Sequence, residues 1–246
     1  MSYKNVFRRY ELKYLLTPSQ RDFVLAGMAD YMQLDSYGHT TIRNVYYDTD
    51  NFRLIRRSIE KPIYKEKLRI RSYSLAEKDS TVFVELKKKY DRVVYKRRIA
   101  LPESVATDWI CGNIPSPCDT QISREIDYFK SYYQGLRPAM FLSYERDAYY
   151  PKYDGDFRVT LDSNILCRRT DISLCKEPYG HLILPSDRFL LEIKCPGAIP
   201  LWMVDILSEA KIYKTPFSKY GRAYLDTVLP TISDYGNKTK EIHINA

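Results

Sequence analysis

The amino-acid sequence predicts an α+β domain in which short antiparallel strands form a barrel or a curled sheet, with helices inserted between them. Three observations carry this expectation. Short segments rich in tyrosine, valine and isoleucine dominate the first hundred residues and resume in the second half. Helical patterns with recognisable start and stop signals separate those segments. Along most of the strand-like segments, charged side chains hold one parity and apolar side chains the other.

The first strand is read in "RYELKYLL" and is followed by a helix, where Thr17 suits the N-cap and Pro18 the first helical position. Four further strands follow in "RNVYYDT", "EKLRIRSY", "TVFVELKKK" and "VVYKRRIAL". Two helices come next, "ESVATDWICGN" and "TQISREIDYFKSYYQG", the second stopped by Gly135. Strands resume with "AMFLSYERDAYY", "FRVTLDSNIL" and "RFLLEIKC". Pro200 then opens a helix through "LWMVDILSEA", and Ser218 begins another through "KYGRAYLDTVL". No repeat, low-complexity tract or linker divides the chain, so residues 1–232 read as one domain and 233–246 as a polar tail.

At 246 residues the chain is long enough for a buried core, and its 44% hydrophobic and 28% charged content is that of a soluble globular protein. No apolar run is long enough to cross a bilayer, and the N-terminus lacks a signal-peptide core. Five scattered cysteines without a C-x-x-C pair point to a reduced, cytoplasmic chain. P-loop and dinucleotide glycine motifs, G-x-S-x-G and Cys/His nucleophile patterns are all missing. The net charge of +8 indicates an anionic partner.

The distribution of charge narrows that partner. Residues two apart on a strand share a face. This spacing groups Glu11 with Lys13, Lys67 with Arg69 and Arg71, Glu85 with Lys87 and Lys89, and Lys96 with Arg98. It also groups Tyr144 with Arg146, Arg158 with Thr160 and Asp162, and Glu192 with Lys194. For any single strand, a solvent-facing side is the ordinary explanation. Seven strands that all concentrate cations on one face call for another, because like charges on neighbouring strands repel. A barrel interior that holds a polyanion removes the repulsion. Arginine and lysine bind phosphoryl oxygens, and carboxylates bind Mg2+ or Mn2+. Metal-assisted phosphoryl transfer needs little else.

The segments "RYELKYLL", "VYYDTDNF", "KLRIRSY", "FVELKKK", "YERDAY", "RVTLDSNI", "LEIKC" and "FSKYGRAY" resemble, in order and spacing, the VTC domain. That domain is the catalytic module of polyphosphate polymerases, within the triphosphate tunnel metalloenzyme superfamily. The resemblance runs from about Phe7 to Leu229. It implies an eight-stranded antiparallel β-barrel tunnel with helices packed outside, and a metal-bound nucleoside triphosphate, triphosphate or polyphosphate within it. By position it makes Arg69, Arg71, Arg146 and Arg158 catalytic residues and Lys13, Lys87, Lys96 and Lys219 substrate-binding residues, which Lys67 and Lys194 join by their charged parity. Tyr144 would hydrogen-bond phosphate and Glu192 would hold the metal. Glu11 and Glu85 match metal-binding carboxylates elsewhere in the superfamily, with structural ion pairs to neighbouring cations as their alternative. Neither the extra phosphate-sensing domain nor the membrane spans of the eukaryotic polymerase subunit are read in this sequence, so coupling to translocation is expected either to come from a separate membrane protein partner or to be absent.

Other residues carry less. Lys88 and Arg97 have the wrong parity, and His39, His181 and His243 lie in loop-like contexts. Cys195 reads as packed, and Tyr46 and Phe189 fall on the apolar parity. Asp48 and Asp50 follow a strand and suit a turn better than a metal. The leading expectation is a metal-dependent phosphotransferase that builds polyphosphate from nucleoside triphosphate. Its alternatives are a tripolyphosphate or nucleoside-triphosphate hydrolase on the same scaffold, and a non-enzymatic barrel that binds polyphosphate or nucleic acid. No nucleic-acid partner is expected, because stacking aromatics are not evident on the basic parity. Replacing Arg69 or Arg146 with alanine is expected to abolish turnover with little loss of stability.

Overall fold

A computed structural model describes residues 10–231, apart from 92 and 154. The polar tail expected at 233–246 and His243 lie outside the described residues. The chain alternates strands and helices in the order β1 (Tyr10–Leu16), α1 (Pro18–Met28), β2 (Met32–Asp48), α2 (Arg53–Ile59), β3 (Tyr64–Ser72), β4 (Thr81–Tyr90) and β5 (Val93–Pro102). There follow α3 (Glu103–Cys111), α4 (Gln121–Tyr133), β6 (Arg137–Pro151), β7 (Arg158–Arg168), β8 (His181–Leu182), β9 (Phe189–Cys195), α5 (Leu201–Glu209) and α6 (Lys219–Thr227).

All the strands join one antiparallel sheet in the order β1-β9-β7-β6-β2-β3-β4-β5, with β8 attached to β7 alone. The eight long strands are those the sequence predicts, and the helices that cover the outer face lie outside them, whereas α6 packs on inner-parity residues. Two features differ from a closed eight-stranded barrel. The two-residue β8 is an addition too short to carry a sequence pattern. No backbone pairing among the described residues joins the edges β1 and β5. Side chains close the seam instead: Lys87 Nζ on β4 meets Glu11 Oε2 on β1 at 3.0 Å. The sheet therefore curls until its edges face one another.

Two elements exceed their sequence prediction. β2 begins at Met32 rather than near Arg43, because the polar stretch after Leu34 masks a strand that pairs with the end of β6. A register shift between Leu34 and His39, with Gly38 at φ +60°, accommodates the break in pattern. Helix α2 starts from Phe52, a left-handed residue with no side-chain cap. Its cap comes from the end of β2, where the Asp48 carboxylate accepts the backbone N–H groups of Thr49, Leu54 and Ile55. Asp48 thus fills the turn role that its sequence position suggests.

The other helices start where local chemistry places them. Thr17 and Gln20 form a capping box at α1, Thr120 caps α4, and Ser218 Oγ accepts from Gly221 N at α6. Two apolar layers cover the outer face of the sheet. Leu68, Ile70, Val84 and Leu86 pack under Trp109 and Ile110 of α3 and Ile126 and Phe129 of α4. Leu16, Val159, Leu161, Leu191 and Ile193 pack under Val24 and Met28 of α1 and Met203 of α5. Fully burying each such side chain contributes about 1.5–3 kcal/mol. A third cluster is different: Ile42, Leu142, Ile165 and Leu190 lie on the inner parity and are covered by Tyr220, Ala223 and Tyr224 of α6. Part of the interior is therefore apolar and plugged by α6. The remainder is charged. No helix among the described residues is long and apolar enough to cross a membrane.

Candidate active site

Strand alternation sends one set of side chains inward. Along β3 these are Lys67, Arg69 and Arg71, whereas Leu68 and Ile70 face the helices. The register then stacks charges across strands. Arg69 lies opposite Glu85, and Glu85 opposite Arg98; one step along, Lys67, Lys87 and Lys96 lie side by side on three adjacent strands.

Two networks form around buried carboxylates. Glu85 is 1% exposed. Its Oε2 accepts from Arg69 Nε at 2.9 Å and Nη2 at 2.7 Å, and its Oε1 accepts from Arg98 Nε at 2.8 Å and Lys96 Nζ at 2.7 Å. In the second network Arg146 grips Asp162 with Nε at 2.6 Å and Nη2 at 2.7 Å. Glu192 is surrounded by Lys219 at 3.0 Å, Lys13 at 3.1 Å, Arg146 at 3.4 Å and Lys194 at 3.5 Å. Lys219 also donates to Asp162. Between the networks, Arg71 donates to Asn44 Oδ1 and Tyr144 Oη, both at 2.9 Å. Glu11 joins Lys13 at 3.3 Å and Lys87 at 3.0 Å.

The sequence-predicted residues therefore gather on one face, enclosed except at two places: Lys96, on the edge strand β5, is partly open to solvent, and Arg158 lies beyond the enclosed part. Arg158 is exposed near the end of that face, opposite Lys194 in register, with its guanidinium 5.5 Å from the centre of the Tyr150 ring. Glu11 and Glu85 take the ion-pair arrangement that was their alternative. Lys88 and Arg97 point outward, both to Glu125 of α4 at 3.3 Å. His39 is exposed between Asp147 and Glu145. Tyr46 corrects the sequence reading: it faces inward, where Arg69 Nη1 donates to its hydroxyl at 2.9 Å. The adjacent pair Tyr46–Tyr47 fits either parity, and only pairing with β3 and β6 chooses. Asn44, two residues before Tyr46, lies on the same face, where its Oδ1 accepts from Arg71. Arg98 and Asp162 stood on the correct parity without an assigned role.

Charge is not balanced within this face. Glu11, Glu85, Asp162 and Glu192 meet Lys13, Lys67, Arg69, Arg71, Lys87, Lys96, Arg98, Arg146, Lys194 and Lys219. Burial alone would raise the Glu85 and Glu192 carboxyls, yet the surrounding cations hold both well below the usual range. Lys13 and Lys219 are raised because their carboxylate partners outweigh burial. Lys67 behaves in the opposite way. Burial, then repulsion from Lys87 and Lys13, pushes it down to about 7. Burial likewise brings Lys96 to about 7 against the pull of Glu85, and Lys194 to about 8 against that of Glu192.

These lysines predict two opposite pH dependences. Between about pH 7 and the ordinary lysine range, folded Lys67 has lost a proton that the unfolded chain retains, so stability without ligand should rise with pH. A polyanion held on this face would need the charged lysines, so affinity for one such as tripolyphosphate should fall, by roughly tenfold for each proton taken up and each pH unit. Lys96, whose side chain is 40% exposed, contributes less than Lys67. Thermal melts and calorimetry from about pH 7 to pH 9 test both, and parallel slopes would contradict the assignment.

The carboxylates differ in their fitness for a divalent cation. Among the described residues, no three His, Cys, Asp or Glu side chains gather at one point. Glu85 does not suit a metal, because arginines and a lysine already saturate both oxygens. Asp162 and Glu192 are occupied as well, by Arg146, Lys13, Lys194 and Lys219, but they differ from Glu85 in that Lys219 Nζ touches both, so their oxygens converge on one cation position. Mg2+ and Mn2+ are commonly held by one or two carboxylates, with substrate phosphate and water completing the shell.

Comparison with known proteins adds to this geometry. The family model described as the VTC domain matches residues 8–227. The fold resembles that of a candidate adenylate cyclase from Bacillus halodurans, with 15% identity, TM-score 0.56, and coverage of 87% of this chain and 95% of that one. It also resembles a candidate adenylyl cyclase from Hippeastrum described as having a dominant triphosphatase activity, with 14% identity, TM-score 0.51, and coverage of 90% and 98%. At these identities the likeness is one of fold. No curated protein matches the chain by sequence.

Proposed function

Because this chain belongs to the VTC domain family, we propose that it is a metal-dependent phosphotransferase that synthesises inorganic polyphosphate from nucleoside triphosphate within its basic tunnel. One observation carries the reading: Lys67, Lys87 and Lys96 stand in register on three adjacent strands of the enclosed face. Like charges so placed repel, and Glu11 beside Lys87 and Glu85 beside Lys96 offset this only in part, since burial and the neighbouring lysines still hold Lys67 down. A chain of phosphates supplies the remaining negative charge, one at every unit.

The remaining groups suit transfer of a phosphoryl group. Arg69, Arg71 and Arg146 present guanidinium forks that match phosphoryl oxygens and hold them in one orientation. The Tyr144 hydroxyl faces the same space, and cations that outweigh its burial lower its pKa. Glu192, with Asp162, would hold Mg2+ or Mn2+, which supplies charge neutralisation at the transferring phosphate. The attacking oxygen belongs to phosphate or to a chain end, so no side chain acts as nucleophile. Catalysis then consists of positioning and electrostatic stabilisation. Arg158, on the rim, would meet the phosphate chain where it leaves the enclosed part.

Incubating purified protein with ATP and Mn2+ and resolving the products on a gel tests the reading. Long phosphate chains with ADP are expected. ADP and free phosphate alone would replace it with the hydrolase, and salt-sensitive RNA binding without turnover would replace it with the binding barrel.

A further inference from the structure

The inner face continues past the charged networks. On β6 the parity of Tyr144 and Arg146 carries on to Ala148 and Tyr150, and on β7 that of Asp162 and Thr160 carries back to Arg158. Gln33 of β2 lies opposite Tyr150 in register, and Arg158 opposite Lys194 of β9. The Arg158 guanidinium, 5.5 Å from the centre of the Tyr150 ring, is within reach of a cation–π contact. Side chains of the networks engage Arg69, Arg71 and Arg146, whereas no hydrogen bond or ion pair among the described residues holds Arg158.

Two neighbouring cavities open beside this row, and Tyr150 and Arg158 line both. The larger, about 380 Å3, is also lined by Asp35, Ser36 and Ala148. It adjoins the stretch 35–38, where the register shift takes β2 out of pairing with β6. The smaller, about 270 Å3, is also lined by Gln33, Pro151 and Lys152. This lining differs in kind from the charged interior. A chain of phosphates has no use for a ring or an amide, but a nucleoside does. Bases stack on aromatic rings and on guanidinium planes, and a glutamine amide offers the donor and acceptor that match the edge of adenine. Asp35 Oδ1 accepts from Tyr37 N at 3.0 Å, and its other oxygen can accept from a ribose hydroxyl.

The spacing also suits a nucleotide. Arg158 stands two residues, about 7 Å, along β7 from Thr160, and Thr160 lies opposite Glu192. A triphosphate whose terminal phosphate lies by Arg146 and Glu192 would bring its α-phosphate toward Arg158.

We propose that this row is a nucleoside site: an adenine base stacks on Tyr150 with its edge on Gln33, the ribose faces Asp35 and Ser36, and Arg158 takes the α-phosphate. The inference rests on the reading that the tunnel takes a nucleoside triphosphate, and deepens it by placing the nucleoside. The phosphate chain that meets Arg158 at the rim is then the nucleotide's own.

The test is binding alone, in metal-free buffer, so that no transfer takes place. Calorimetry compares ATP with tripolyphosphate, which carries three phosphates and no nucleoside. Tyr150→Leu should weaken ATP by roughly tenfold, the scale on which removing a stacking ring acts, and leave tripolyphosphate within about twofold. Tyr150→Phe, which keeps the ring, should bind ATP as the wild type does. The wild type should prefer ATP to UTP by about tenfold, and Gln33→Leu should remove most of that preference. Gln33 is exposed, so this second variant stays informative even if Tyr150→Leu fails to fold. Equal weakening of ATP and tripolyphosphate by Tyr150→Leu, or of neither, would overturn the proposal. So would a preference for ATP that is absent from the wild type or survives Gln33→Leu. The product assay fails separately. A protein that binds in this way but makes no long chains loses the polymerase reading and keeps the nucleoside site; long chains from a protein indifferent to Tyr150→Leu do the reverse.

Discussion

Replacing Glu85 with glutamine is expected to lower the melting temperature by roughly 10 °C in metal-free buffer. The carboxylate is 1% exposed and neutralises Arg69, Arg98 and Lys96 at once. Removing one partner of a buried ionic cluster typically costs about 3–5 kcal/mol, because the remaining charges stay buried and uncompensated. In a domain of this size each kcal/mol shifts the melting temperature by about 2–4 °C. Excess tripolyphosphate should restore part of the loss by supplying the missing anion. A thermal melt separates the two readings of this residue. A metal ligand would melt normally without metal and lose only metal affinity; a charge-balancing residue shows the full loss without metal.

Replacing Arg146 with alanine is expected to lower turnover by about a thousandfold or more, the scale on which a charge-stabilising arginine acts in phosphoryl transfer. The sequence alone suggests that such a variant keeps its stability, since relief of repulsion among interior cations would compensate. The structure overturns that suggestion. Arg146 grips the fully buried Asp162 with two nitrogens and also reaches Glu192, so its loss should cost about 3 kcal/mol as well. Arg69 is in the same situation with Glu85. Arg146→Lys separates the two effects, because lysine keeps the charge but not the planar fork. Steady-state kinetics of Arg146→Lys should show a loss of about a hundredfold in a protein that melts close to wild type. Wild-type turnover in that variant would make Arg146 a structural counter-ion only.

The sequence by itself determined which side chains face inward on most strands. Alternation relates residues two apart, so "KLRIRSY" reveals Lys67, Arg69 and Arg71 as one face without reference to the rest of the chain. Helix starts were legible for the same reason: Thr17, Thr120 and Ser218 cap helices that begin beside them. Asp48 lay beyond this reach, because it caps Leu54 and Ile55 across an intervening turn, and so α2 went unseen.

Tertiary structure alone decided which cation meets which carboxylate. Lys13 meets Glu192 because β1 pairs with β9 in that register, and Lys219 meets Asp162 and Glu192 only after α6 has closed over the sheet. The inward turn of Tyr46 rather than Tyr47 was set by register with β3 and β6, including the shift between those two residues. These choices depend on contacts between distant parts of the chain. Alternation cannot carry them, because it holds no information about which strands become neighbours or where their registers align.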